Sequence, residues 1–467
     1  MLSRTTVGLL LVAGLALALR VGVTLAVSST HSAPVTYEHG EIAENLIRGR
    51  GFTVRFLGAE GPTSQQSPLY PVMLAASYAV FGIASPAAIL AMQLLQCLAG
   101  TAIVLCVAWL SWSLLPRSPE VGWVAALGAA MYPPHVYMVT HIQTVTWITL
   151  SLTLLTAIAC SARLQRRWAG SLLSGACAGV AILLEPIVVL ALPFVALLAW
   201  RSSSADVLPG LKGRFARLAM SGAVAAALVS PWIVRNYQVH GEFVFVKSTF
   251  GYALWQGNNP SSWGTDKIPK PSVEQLRNDH DGTWAGRDRA MWEARHETLY
   301  IDDVLLTATD YATLARLTEP KRSRLLGARA WRHIRGAPKH YAALCWQRLR
   351  YVLLFDETNP KTASVVYRLS TLCWLGLTCA GIVALRRHWR MLWPLGGAFA
   401  AIVLFHTLTI ASARFRIPIE PLSFLASAAG LLWIGNGVAC MAGNLRRHCR
   451  LNASNDQALQ TADLSVA

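Results

Sequence analysis

Charged residues are scarce in this chain. They make up 14% of its 467 residues, against about 25% in soluble domains. With 54% of residues hydrophobic and a mean hydropathy of +0.41, an ordinary soluble enzyme is excluded. Acidic residues are scarcer still: 24 Asp and Glu face 41 Lys and Arg, a net charge of +17. In a soluble protein that excess would point to a nucleic-acid partner. Here the cations gather in short loops between apolar stretches, so the excess reads as a topology signal and no nucleic-acid partner is expected. No P-loop, GxSxG, HExxH or GxGxxG pattern is present, which removes the commonest cytoplasmic nucleotide chemistry. There is no internal repeat, so a two-fold transporter architecture loses support. The nine cysteines form no CxxC pair or zinc spacing; most lie inside apolar stretches and read as small buried hydrophobes.

What the chain has in quantity is apolar sequence. With the window of about 20 residues needed to cross the hydrocarbon of a bilayer, apolar segments fall near 7–27, 86–115, 121–138, 144–162, 169–184, 187–200, 218–234, 363–385, 391–410 and 419–441. The expectation is an all-α polytopic membrane protein of about ten spans. The first is read as an uncleaved span rather than a secretory signal. Around Glu185 and Pro186 two short segments form either a helical hairpin or one broken element.

Threading the ten spans with the N-terminus inside puts Arg4, Arg117, the cluster Arg163, Arg166 and Arg167, the segment Arg201 to Arg217, the cluster Arg386, Arg387 and Arg390, and the C-terminal Arg446, Arg447 and Arg450 on one side. Both termini are therefore expected in the cytoplasm. The organisation follows: an N-terminal membrane region (1–234) with a first outer loop (28–67), a large extracytoplasmic loop or cap (235–362), C-terminal spans (363–441) and a polar, disordered cytoplasmic tail (442–467).

In the first outer loop, Glu38 to Arg50 carries Ile42, Ala43, Leu46 and Ile47 at helical spacing and reads as an amphipathic helix along the membrane interface. Leu69 to Gly82 is apolar but too short to span, which suits an interfacial or re-entrant element. The large loop holds a β-prone stretch at Phe243 to Lys247, a turn at Gly257 to Pro260, and mostly helical sequence from Ser272 to Phe355. Within it, Tyr341 to Phe355 suits a helix at headgroup level.

Candidate chemistry sits in these outer regions. Glu38 and Glu41 lie one turn apart and can face one side of the interfacial helix. A carboxylate near low-dielectric material has a raised proton affinity, as a general base for an alcohol requires; alternatively both are solvated residues favoured at a helix N-terminus. Arg414 and Arg416 are threaded to the outer face against the usual bias. Either a phosphate group compensates them, or they snorkel to headgroups or pair with Glu420. Arg20, Glu185 and His406 are ionisable groups in or beside spans, functional or structurally paired. The triplet Asp279-His280-Asp281 matches a DxD metal-nucleotide pattern only superficially. No metal ligand is assigned, although a divalent metal remains possible.

The segments Tyr37 to Phe52 (YEHGEIAENLIRGRGF), Gly61 to Thr63 (GPT), Ser67 to Pro71 (SPLYP) and Tyr132 to Pro134 (YPP) form an ordered series. It continues in Pro231 to Tyr237 (PWIVRNY), Gly251 to Pro260 (GYALWQGNNP) and Arg414 to Pro421 (RFRIPIEP), covering nearly the whole chain. The series resembles bacterial glycosyltransferase family 39, which has the membrane-embedded GT-C fold shared with protein O-mannosyltransferases and aminoarabinose transferases. The resemblance implies a GT-C-type bundle with interfacial helices and an extracytoplasmic cap. It implies transfer of a sugar from a polyprenyl-phosphate donor to an envelope acceptor that the family does not fix. The family's acidic residue in the first outer loop, commonly Asp, falls at or near Glu38, and Arg414 and Arg416 match positions that partner the donor phosphate. Leu254 to Pro260, with Trp255, Asn258 and Asn259, would wall the sugar site, with Tyr70 and His406 as further pocket candidates. Inverting single displacement is the expected course. The competing readings are a transporter or flippase for a lipid-linked solute and a non-catalytic envelope assembly protein.

Overall fold

The computed structural model describes residues 3–28, 36–202, 210–438 and 440. The tail, with Arg446, Arg447, Arg450 and Cys449, lies outside them. The chain begins with α1 (Arg4–Ser28), α2 (Tyr37–Ile47), a hairpin of β1 (Thr53–Phe56) and β2 (Ala59–Pro62), α3 (Leu69–Phe81) and α4 (Pro86–Leu114). Next come α5 (Pro119–Met131), α6 (Pro133–Met138) and α7 (Val145–Cys160).

All ten apolar segments are helical, but their lengths differ. Among the described residues five helices are individually long and apolar enough to cross a membrane: α1, α4, Leu211–His240, Val365–Ala384 and Arg386–Leu408. The pair Ala413–Leu422 and Phe424–Val438, bent by 68°, is apolar enough to make either a sixth, broken span or a re-entrant loop. The rest are shorter. Helix α7 has 16 residues, roughly 24 Å at 1.5 Å per residue, and Trp168–Leu184 has 17. The expected span at 121–138 is two helices, because Tyr132 is extended and Pro133 opens a new helix without an N–H to continue the old one. At Glu185 the backbone is likewise extended (φ −160°), followed by a 3-10 turn at Pro186–Leu190 and the helix Leu192–Ser202. Glu185 pairs with Lys247 at 3.2 Å, so its role here is structural.

The bundle core absorbs the ionisable Arg20 as well. Its guanidinium donates to the carbonyls of Ala16, Ala129 and Ala130, satisfying orphan carbonyls at the end of α5. Gly100 leaves room for it, since a Cβ there would meet the Arg20 Nε at 2.6 Å. Cys97, Cys106 and Cys160 are buried, whereas Cys373, Cys379 and Cys440 are exposed.

The first loop and the large loop are not separate. Ile42, Phe52, Val54 and Phe56 from the first pack with Leu254, Trp255, Ile301 and Leu326 from the second into one core distinct from that of the bundle. Helix α2 lies where the two cores meet: Ile42 packs in the second core and Ala43 in that of the bundle, while Ile47 is exposed. A buried polar clamp reinforces the junction. Glu319 accepts from the Thr63 hydroxyl, the Ser64 N–H and the Ser248 hydroxyl, and Arg235 donates to the carbonyls of Thr63 and Phe52. The Phe243 to Lys247 segment is not a strand. Its carbonyls at Val244 and Val246 are taken by the Asn236 amide and the Trp232 indole N–H.

Candidate functional site

Where cap meets bundle lies a cavity of about 650 Å³. Its apolar lining includes Leu19 and Val23 of α1, Met131, Val136, Val365 and Val366. Its ionic lining includes Arg287, Arg295, Lys361 and Arg414 with Asp266 and Asp288. The cavity thus brings apolar residues of the helices and a group of cations to one space.

Arg414 sits on the 3-10 turn Ala413–Phe415. Among the described residues it forms no hydrogen bond or contact ion pair, only a ring contact with Phe415 at 5.6 Å. Two residues on, Arg416 does the opposite. It is buried, bonded to Glu420 at 2.5 Å and to the carbonyls of Val352 and Leu353, while His135 and Tyr132 complete Glu420. The expected phosphate-facing pair is therefore split: Arg414 lines the cavity, and Arg416 closes a buried ion pair within the membrane region.

Lys361 comes from the 3-10 turn Pro360–Ala363. Its Nζ bonds to His141 Nε2 and stands 4.8 Å from the Trp292 ring and 5.4 Å from that of Tyr137. Burial, and then Arg295, push its ammonium down to about 7, with Asp288 opposing. Asp356 sets the spacing of the two cations. Its carboxylate accepts from the Thr358 N–H and hydroxyl and from the Ala413 N–H, tying the Lys361 turn to the Arg414 turn. Asp266 bonds to Lys267 at 2.8 Å. Burial works to raise its carboxyl, but Lys267, Arg414 and Arg295 outweigh this and hold it below its ordinary value.

Tyr37 lines the cavity from the start of α2 with φ of +51°, a conformation costly for a bulky side chain. Glu38 does not line it. Half-buried, it accepts one long bond from the Gln65 amide at 3.4 Å. Glu41 is exposed and holds the Arg55 N–H at 2.7 Å.

The other expected pocket residues lie elsewhere. Tyr70 is buried, donating to Gln96 at 3.0 Å. Trp255 is in the cap core. Asn258 and Asn259 are buried and brace their own turn through the carbonyls of Leu254 and Trp255, and Asn258 also accepts from Arg348. His406 stacks on Phe415 at 4.2 Å and bonds to the Ile410 carbonyl. In the DxD triplet, Asp281 caps the Thr283 turn; His280 alone of the three reaches the cavity. Among the described residues no three His, Cys, Asp or Glu side chains converge as a metal site.

Sequence reading missed Tyr37, Asp266, Arg295 and Lys361. Tyr37 and Asp266 adjoin segments already singled out, but nothing in a helix such as Trp284–His296 marks Arg295 as inward-facing.

No protein-family model and no curated protein sequence matches the chain. Solved structures do. The oligosaccharyltransferase of Archaeoglobus fulgidus in the apo form superposes with a TM-score of 0.52 at 13% identity, over 94% of this chain and 51% of that one. The same enzyme tethered with an acceptor peptide gives 0.51 at 12% identity, over 93% and 50%. The chain has the GT-C fold. It spans about half the length of those oligosaccharyltransferase chains. A further GT-C structure, ArnT from Cupriavidus metallidurans bound to undecaprenyl phosphate, has a TM-score of 0.41 at 14% identity, over 92% of this chain and 77% of that one.

Proposed function

We propose that this GT-C protein is a membrane glycosyltransferase, resembling family 39, that moves a sugar from a polyprenyl-phosphate-linked donor to an envelope acceptor. The observation that carries the reading is the cavity, with its apolar wall among the membrane helices and its cations at the cap. A lipid phosphate must keep its tail in hydrocarbon and its headgroup beside positive charge, and this cavity offers both in sequence. In this reading Arg414 holds the phosphate, since its donors are uncommitted among the described residues and match phosphate oxygens. The cap faces the extracytoplasmic side of a bacterial inner membrane, with both termini in the cytoplasm.

Glu38 is the base. Of the carboxylates at or beside the cavity, Glu41 holds a backbone N–H, Asp266 is made a weak base by Lys267, Arg414 and Arg295, and Asp288 accepts from the Tyr137 hydroxyl, whereas Glu38, one residue past the cavity-lining Tyr37, accepts one long hydrogen bond. The sugar then lies over Tyr37, and the acceptor hydroxyl approaches from the α2 side. Its oxygen attacks the anomeric carbon, its proton passes to Glu38, and the bond to the phosphate oxygen breaks with inversion, the leaving charge stabilised by Arg414. Purified protein supplied with a radiolabelled polyprenyl-phosphate sugar and membrane extract should transfer label, and Arg414→Ala should abolish it. Movement of the lipid across the bilayer without transfer would overturn the reading in favour of a flippase.

A further inference from the structure

Transfer changes the charge of the lipid headgroup. The donor is a phosphodiester with one negative charge; the released polyprenyl phosphate is a monoester whose second ionisation lies near pH 6, so it carries close to two. The acceptor hydroxyl meanwhile gives up one proton. A site that holds both lipids must meet this change with a group that gains charge between them.

Lys361 is the cavity cation built for that exchange. Arg287, Arg295 and Arg414 keep their protons under all conditions, and Lys267 is bound to Asp266. The Lys361 amine instead stands within 5.4 Å of the ring centres of both Trp292 and Tyr137, and burial, then Arg295, push its ammonium down to about 7. His141 fits the role. The Thr140 hydroxyl spends its hydrogen on the Tyr137 carbonyl, so toward His141 Nδ1, 3.1 Å away, it accepts. Neutral His141 therefore carries its proton on Nδ1 and presents a lone pair at Nε2 to Lys361. Lys361 keeps this bond whether amine or ammonium, because both forms retain N–H donors.

Among the described residues, the charged and titratable groups around Lys361 come from several packed elements. Asp288 and Arg295 face it from helix Trp284–His296, and Tyr137 and His141 from α6 and its exit. Arg277 shares the cavity from helix Pro271–Asn278, Arg368 of helix Val365–Ala384 donates to the neighbouring Thr362 carbonyl, and the buried Asp356 braces the same turn. Only Asp288 raises the amine among the neighbours whose charge shifts it, so an arriving dianion would tip the balance.

The geometry points to Lys361, seated against His141, as the residue that tells the lipid phosphate monoester made by transfer from the sugar phosphodiester consumed by it, taking up a proton as the second phosphate charge appears. This rests on the reading given under Proposed function. Over the step the acceptor oxygen bonds to the anomeric carbon, the bond from that carbon to the phosphate oxygen breaks, and the acceptor proton travels from Glu38 through solvent to Lys361. Diester and neutral amine become dianion and ammonium, and net charge is conserved.

Calorimetry of full-length protein in nanodiscs, titrated with farnesyl phosphate or its methyl diester in buffers of different ionisation enthalpy, tests this. At about pH 8 the monoester should bind with uptake of close to one proton, and the diester with less than half of that. Lys361→Arg should keep monoester affinity and lose the uptake. Lys361→Met should weaken the monoester by about tenfold and leave the diester nearly unchanged. Undiminished uptake in the Arg variant, or equal weakening of both lipids in the Met variant, overturns the assignment while the lipid-phosphate reading stands. If neither lipid binds the wild type, that broader reading falls with it.

Discussion

Arg295 donates a hydrogen bond to the Tyr37 hydroxyl at 3.0 Å and a second to the Tyr300 hydroxyl at 2.7 Å. A residue in the large loop thus pins the first residue of α2, which the chain holds in a left-handed conformation at φ +51°. Tyr37→Phe keeps the ring and removes the tether. The expected cost is about 1–2 kcal/mol, with a several-fold rise in donor KM and little change in kcat, since the ring would still wall the cavity. Kinetics and thermal melts of the purified variant check this; an unchanged KM would mean that the tether does not hold the donor site.

Arg414 and Arg416 separate binding from folding. Arg414 has no hydrogen-bonded partner among the described residues, whereas Arg416 shares Glu420 with His135 and Tyr132 in a buried network. Arg414→Ala should leave the melting temperature almost unchanged and remove transfer. Arg416→Met strands a buried carboxylate and should destabilise by about 3–5 kcal/mol, visible as poor yield or a lowered melting temperature in detergent. If Arg414→Ala melts low and Arg416→Met folds normally, the division is wrong.

Glu38 and Glu41 divide the same way. Glu38→Gln is close in shape and keeps an acceptor for Gln65, so folding should be intact and kcat should fall by about a hundredfold or more, as for loss of a general base. Glu41→Gln retains an oxygen for the Arg55 N–H and should stay within threefold of wild type. Equal activity of the two variants would remove Glu38 from the chemistry.

The bundle was legible because hydropathy is a local property: every apolar segment is helical, several of them in two pieces. Its breaks were half legible. Pro133 and Pro186 are visible in the sequence, but whether a proline ends a helix or bends one depends on what packs around it. The β1–β2 hairpin went unseen because its two-residue turn, Leu57-Gly58 with φ of +50° and +83°, places Leu where Asn or Asp would have signalled it. The site divided similarly. Arg414 was found through its outer placement against the charge bias, but Arg416 carries the same signal and only the fold assigns it to Glu420. The segments at Pro231 to Tyr237 and Gly251 to Pro260 stood out as motifs, yet their side chains clamp loops. Arg295 and Lys361 meet through tertiary packing alone, which no spacing along the chain encodes.

His39 gives the cap a predictable response to acid. The ring is buried against Tyr70 with centroids 5.0 Å apart, and its Nδ1 makes no hydrogen bond. Burial, and then the charges of Lys247 and Arg414, push the imidazole from 6.5 down to about 3. The folded chain therefore keeps His39 neutral where the unfolded chain protonates it. Stability from this residue is complete above about pH 6.5 and falls as pH drops from there toward 3, by at most about 1.4 kcal/mol per unit. Asp266, held below its ordinary value, loses its contribution only at lower pH, whereas His333, which burial also holds below 6.5, shares the window from about 6.5 to 4 with His39. His39→Phe should lessen the slope of melting temperature against pH across that window, and Arg414→Ala should lessen it by a smaller amount by removing one of the two repelling charges. Parallel curves for wild type and His39→Phe would show that the imidazole is not held neutral, and with it that Arg414 does not project its charge onto the start of α2.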